Sequence, residues 1–158
     1  MTDRTEVLEV KAYDLALHAD ARGWLMVGPA DELYGPIAYA YATTCYPGVV
    51  KAWHRHAEHA DRLWCVSGMA RVVVVCRRGD EYAEPGTLAT IWYETHEFVI
   101  GPLAPKCVVI PPGWWHGFTP VGPEPCVIIN APDMAYDPED EERKPIEAIP
   151  FPWREVDG

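Results

Sequence analysis

Apolar, β-branched and aromatic residues recur along the chain in short runs broken by proline and glycine, the punctuation of an all-β sandwich or barrel. The runs predict strands over residues 23–27, 37–45, 49–56, 62–67, 70–76, 87–99, 107–110, 117–120 and 126–130, and leave little room for long helices. Val72, Val73, Val74 and Val75 show no alternation, so their strand is predicted to be buried on both faces. The turn Arg78-Gly79-Asp80 marks the start of a hairpin or loop. After Asn130 the pattern changes to a charged stretch, Asp137-Pro138-Glu139-Asp140-Glu141-Glu142, and then to a proline-rich end. These residues predict a C-terminal arm that packs on the barrel through Ile149, Phe151 and Trp153. Its acidic part is expected to be a short helix or a solvated loop. No internal repeat is visible.

At 158 residues the chain is the size of one domain with a real core. Its formal net charge of −11 disfavours nucleic acid and anionic membranes as partners, so a small molecule is the expected ligand. If that ligand is an anion, a local group of cations must overcome the field of the whole protein. There is no charged-then-apolar leader and no apolar run long enough to span a bilayer, which predicts a cytoplasmic protein. The five cysteines stand singly in apolar runs and read as reduced, buried residues.

The chemistry concentrates in two segments. His54 and His56 sit two apart, so on a strand both imidazoles leave the same face. Asp61 follows at the entry to the next predicted strand, and His116 comes after a rigid Pro111-Pro112-Gly113 corner. Three imidazoles and a carboxylate that converge can hold Fe, Mn, Ni or Zn as a divalent ion, with His54, His56, Asp61 and His116 as ligands. They can equally serve proton transfer, with His54 as general base. Arg22, Lys51, Arg55 and Arg62 are candidate cations for an anionic substrate such as a sugar-nucleotide pyrophosphate. Trp24, Trp53, Trp64, Trp114 and Trp115 are candidates to stack a ring. Trp114 and Trp115 are favoured because adjacent strand residues cannot both face inward.

Gly48 to Gly68 resembles the first cupin motif, with Asp61 at its acidic position, and Pro111 to His116 resembles the second, with Pro120 at its terminal Asn. More narrowly, H-A-D-A-R-G from His18, Y-P-G-V-V-K-A-W-H from Tyr46, I-P-P-G-W-W-H-G-F from Ile110 and the acidic stretch from Tyr136 resemble the dTDP-4-dehydrorhamnose 3,5-epimerase group of cupins. The resemblance implies a jelly-roll β-barrel over residues 1–158, with N-terminal strands within 5–46, motifs at 48–68 and 111–118 and an arm at 131–158, assembled as a homodimer. It also implies a metal-free isomerase in which His54 abstracts protons beside a keto group. In the same comparison His116 is the second-motif histidine, Arg22 a phosphate-binding arginine, and Lys51 and Arg62 the basic residues flanking the histidine strand. The opposing acid of that group, a tyrosine, corresponds to Asn130. The aspartate that partners the histidine has no evident counterpart.

Three functions therefore stand open: a sugar-nucleotide isomerase or epimerase with His54 as base, a metal-dependent cupin enzyme (lyase, isomerase, cyclase or dioxygenase) using the His/Asp set, and a non-catalytic binding cupin.

Overall fold

The computed structural model describes residues 9–30, 35–79 and 91–153. Its strands are β1 (Lys11–Asp14), β2 (Leu17–Asp20), β3 (Gly23–Met26), β4 (Tyr41–Cys45), β5 (Lys51–His56), β6 (Asp61–Ser67), β7 (Ala70–Arg78), β8 (Trp92–Ile100), β9 (Lys106–Ile110), β10 (Trp115–Pro120), β11 (Cys126–Asn130) and β12 (Glu141–Arg143). Two five-stranded antiparallel sheets, ordered β1-β9-β6-β11-β4 and β12-β5-β10-β7-β8, form the jelly roll, and β2 and β3 make a separate hairpin. Among the described residues the only helices are two short 3-10 turns, Pro138–Asp140 and Ile146–Ala148, and no helix is long and apolar enough to cross a membrane.

The unbroken valine run is explained by cover on both sides of β7. Val72 and Val74 join Leu63, Ile110, Phe118 and Ile128 in the core between the sheets. Val73 and Val75 face outward, where Trp53, Trp115, Ile149 and Trp153 bury them. The arm is what closes that outer layer, as the apolar triplet Ile149, Phe151 and Trp153 predicted. Trp53 Nε1 donates to the Ile146 carbonyl at 3.1 Å, and the Arg71 guanidinium lies over the Phe151 ring at 4.9 Å. A third apolar group, Leu15, Cys107 and Val109, is covered by Tyr13, Met26 and Trp64. None of the five cysteines is in a disulfide, and four are buried; burial pushes the Cys107 and Cys126 thiols up to about 12.

The departures from the predicted strands have local causes. β4 begins at Tyr41 and not at Ile37, because its partner β11 ends at Asn130, paired with Tyr41. β12 was not foreseen, and β1 and β2 lie within the N-terminal strand region that the resemblance implies but were not singled out by the apolar pattern. β1 and β2 are only four residues each, and β12 is the polar run Glu-Glu-Arg, whose backbone pairs with β5 although its side chains carry no apolar pattern. The predicted strand over 87–99 is observed from Trp92 to Ile100, with 87–90 outside the described residues, as are Asp80 of the predicted turn and the start of the N-terminal segment.

Gly117 shows how tightly β10 is pressed on β5. A Cβ there would sit 2.3 Å from the Ala52 Cβ and 2.7 Å from the Lys51 carbonyl oxygen, beside the register shift between His116 and Phe118. Gly117→Ala should destabilise the fold by about 1–3 kcal/mol, the usual penalty for overpacking, read as a fall in the urea midpoint at unchanged m-value.

Candidate active site

A cavity of about 650 Å³ opens between the sheets, lined by β4, β5, β11 and the start of the arm. On β5, His54 and His56 turn to this cavity; Trp53 is buried against the arm and reaches the cavity only at its border, and Arg55 pairs with Glu142 of the arm. Ladder pairing then fixes the neighbours of His54: His116 lies opposite it on β10 and Arg143 opposite it on β12. The His54 and His116 rings meet edge to face with centroids 4.1 Å apart.

Behind the histidines is a buried carboxylate. Asp61 Oδ2 lies 3.1 Å from His116 Nε2 and 3.6 Å from His56 Nε2, while Oδ1 lies 3.4 Å from His59 Nε2 and accepts from Asn130 Nδ2 at 2.7 Å. Burial alone would raise its pKa. The imidazoles of His116 and His59 outweigh that and hold the carboxyl well below its usual range, so Asp61 is an anion. The network continues outward from His59, whose Nδ1 is 2.8 Å from Asp140 Oδ2. Asp140 Oδ1 accepts from the Ala57 and Glu58 amides, which ties the arm to the loop after β5.

The imidazoles do not share one fate. Burial, reinforced by neighbouring His116, drives the His54 pKa well below 6.5, so the ring facing the cavity is neutral at physiological pH. His56 is lowered as well, chiefly by burial. His59 goes the other way: burial opposes its charge, but Asp61 and Asp140 on either side win and raise it. The structure therefore contains a neutral base at the cavity and a charge-compensated His59 behind it.

His116 bears directly on metal binding. Its Nδ1 is 3.1 Å from the Trp114 carbonyl, which can only accept, so Nδ1 carries a hydrogen. Nε2 then faces Asp61 Oδ2 without a hydrogen bond of acceptable geometry. The two atoms, 3.1 Å apart, are placed where a metal ion could bridge them. His56, Asp61 and His116 each offer a ligand atom within 4.8 Å of the others, a spacing that fits one divalent ion. His54, expected as the fourth ligand, is not in this group. A second group, His56, His59 and Asp140, meets the same distance limit. Its two rings stack at 3.9 Å and 26°, however, and near-parallel imidazoles do not aim their lone pairs at one point.

Of the predicted substrate residues Lys51 lines the cavity, as does Asn130, the residue at the place of the group's tyrosine. Trp115 does not: it is buried beneath the arm, with Arg55 and Lys144 over its ring at 5.0 and 4.5 Å. Trp114 is buried too, on the other side of the sheet, so the two adjacent tryptophans both find cover because both faces are packed. Arg62 is fully buried, its Nη1 donating to the Ala131 carbonyl, and it does not reach the cavity wall. Arg22 is on the exposed hairpin, paired with Asp20 and absent from the cavity lining. His116 and Asp61 stand behind the lining. Sequence reasoning did not select Tyr41, His59, Asp140, Arg143 or Lys144. Tyr39, Tyr41 and Thr43 alternate toward the cavity, a period-two signal that was present.

With this geometry in view, relatives can be compared. The chain is 38% identical over 143 residues to the probable low-salt glycan biosynthesis epimerase Agl13 of Haloferax volcanii, covering 87% of this chain and 86% of the relative. It is 31% identical over 150 residues to the spore coat polysaccharide biosynthesis protein SpsL of Bacillus subtilis, covering 91% and 94%. The chain belongs to the dTDP-4-dehydrorhamnose 3,5-epimerase-like group of cupins. The fold agrees: a dTDP sugar isomerase from Desulfovibrio desulfuricans G20 superposes with TM-score 0.78 at 23% identity, over 96% of this chain and 94% of that one. No family model matches. Within this cupin group, the present chain carries Asn130 where the resemblance expects a tyrosine.

Asp140→Asn keeps an oxygen for the two amides but removes the charge beside His59, so the His59 midpoint should fall in an NMR titration. A raised histidine pKa stabilises the fold below the unfolded value and loses that contribution as pH rises through the folded one. The variant should therefore be more destabilised, relative to wild type, at about pH 6 than at about pH 8.5, as read by urea unfolding.

Proposed function

We propose that this cupin is a sugar-nucleotide epimerase or isomerase that acts on a keto-sugar by proton abstraction, with His54 as the base. The observation that carries the reading is a neutral imidazole, depressed by burial, at the wall of a cavity between the sheets. A half-buried group that is unprotonated at neutral pH can take the acidic proton next to a carbonyl. His116, set edge-on against His54, limits its rotation, and the Asp61 anion behind it is the charge that favours His54 when it becomes an imidazolium. Lys51 and Arg143 line the same cavity and suit the diphosphate of a nucleotide sugar on a protein whose net charge is −11. The related proteins support the class, being an epimerase of glycan biosynthesis and, by fold, a dTDP sugar isomerase. A homodimer in the cytoplasm completes the proposal. Its interface candidates are the apolar side chains Trp92 and Val99 exposed on the edge strand β8.

A metal-assisted version of this chemistry is favoured by one observation, the His56, Asp61 and His116 donor set with its unsatisfied Nε2. A divalent ion there would act as a Lewis acid beside the cavity. In that case metal content should be near stoichiometric in protein purified without chelator and should vanish in His56→Ala. Metal-free protein with full activity would remove this version and leave His54 as base.

With a dTDP-4-keto-6-deoxy sugar in D2O, His54→Ala should reduce deuterium incorporation by about 100-fold or more, the usual weight of a general base. Because the His54 pKa lies well below 6.5, kcat/KM of the wild type should stay level down through about pH 6.5 and fall only at lower pH. An acid limb at or above the ordinary imidazole value would contradict His54 as base.

A further inference from the structure

We propose that Tyr41 is the proton donor that works against His54, and that Asn130 is the positioning residue that aims it. The inference rests on the function proposed above and adds the second half of its chemistry. β4 and β5 belong to different sheets, so Tyr41 and His54 enter the cavity from facing walls. A planar carbanion formed by His54 on one face is thereby open to an acid on the other.

The hydrogen bonds around Asn130 give Tyr41 a defined role. The amide oxygen accepts from the Arg62 N–H at 3.1 Å, and Nδ2 donates to Asp61 Oδ1 at 2.7 Å and to Tyr41 Oη at 2.9 Å. All of these contacts agree on one orientation, because a flipped amide would turn its oxygen toward the Asp61 carboxylate and its NH2 toward an N–H donor. The Tyr41 oxygen must therefore accept from Asn130, which leaves its own O–H free to donate. Tyr41 is 43% exposed on the cavity side, so that proton can reach a bound molecule. Burial also keeps the phenol protonated at neutral pH. Tyr39 and Tyr136 line the same cavity, but among the described residues no hydrogen bond orients either hydroxyl.

The step balances. His54 takes the proton on the carbon next to the carbonyl, and the C–H electron pair moves into the enolate. The Tyr41 O–H bond then breaks, its proton forms the new C–H bond on the opposite face, and the carbonyl is restored. The phenolate left behind is held by the Asn130 N–H and regains a proton from solvent as His54 loses one.

The test uses the full chain and a dTDP-4-keto-6-deoxy sugar in D2O, with deuterium incorporation and stereochemical inversion followed together by NMR. Tyr41→Phe should lower inversion by about 100-fold or more, while incorporation that depends on His54 continues. Asn130→Ala should lower inversion about tenfold at unchanged KM. It should also move the basic limb of kcat/KM to higher pH, because the N–H that favours the phenolate is gone. The other titratable groups facing Tyr41, namely Tyr39, Asp61 and Glu141, remain in place in both variants. Normal inversion by Tyr41→Phe overturns the proposal, as does loss of incorporation and inversion together in a folded protein, or a loss confined to Tyr136→Phe. Wild-type protein without His54-dependent incorporation fails at the earlier step and defeats the proposed function itself.

Discussion

The Asp61 carboxylate is the constraint on which the rest of the site depends. It is an anion almost without solvent, and a buried charge persists only where enough partners replace its water. Here the partners come from separate parts of the chain: His56 from β5, His59 from the following loop, His116 from β10 and Asn130 from β11. Satisfying one carboxylate therefore fixes the relative positions of both sheets. It also brings His54 and the cavity wall into register, because His54 and Tyr41 are each one contact away from a residue that touches Asp61.

Much of the architecture was legible because jelly-roll strands announce themselves through β-branched runs and proline breaks. The arm was legible too, since Ile149, Phe151 and Trp153 had nothing else to bury against. What escaped was whatever depends on backbone pairing without an apolar pattern. β12 is Glu-Glu-Arg and pairs with β5 through main-chain atoms, so its sequence reads as solvated loop. Arg143 and Lys144 reach the cavity only because of that pairing. Asp140 looked like one more surface acid for the same reason, although its side chain is buried against His59.

The site residues divide along a similar line. His54, His56, Asp61 and His116 could be chosen by spacing, and the structure gathers them. Spacing could not say that His116 and Asp61 stand behind the cavity while His54 faces it, because depth depends on which strand is central. Trp115 and Arg62 were misjudged because a strand residue opposite the inward face was assumed to meet solvent or ligand. In this protein the outward faces are themselves covered, by the arm on one sheet and by the N-terminal hairpin with its neighbours on the other.

The double cover of β7 has a consequence for how the molecule opens. That strand is hydrogen-bonded on both sides, to β8 and β10, and apolar on both faces, so its amides are shielded until the whole domain unfolds. β12 is the opposite: three residues at a sheet edge, paired on one side alone. His116 is thus mounted next to the most protected strand, while β5, which carries His54 and His56, lies between β10 and the edge where β12 carries Arg143. Opening at the β12 edge alone can therefore move Arg143 while β5, still paired with β10, holds His54 in place, so a single chain combines a firm centre with a yielding rim.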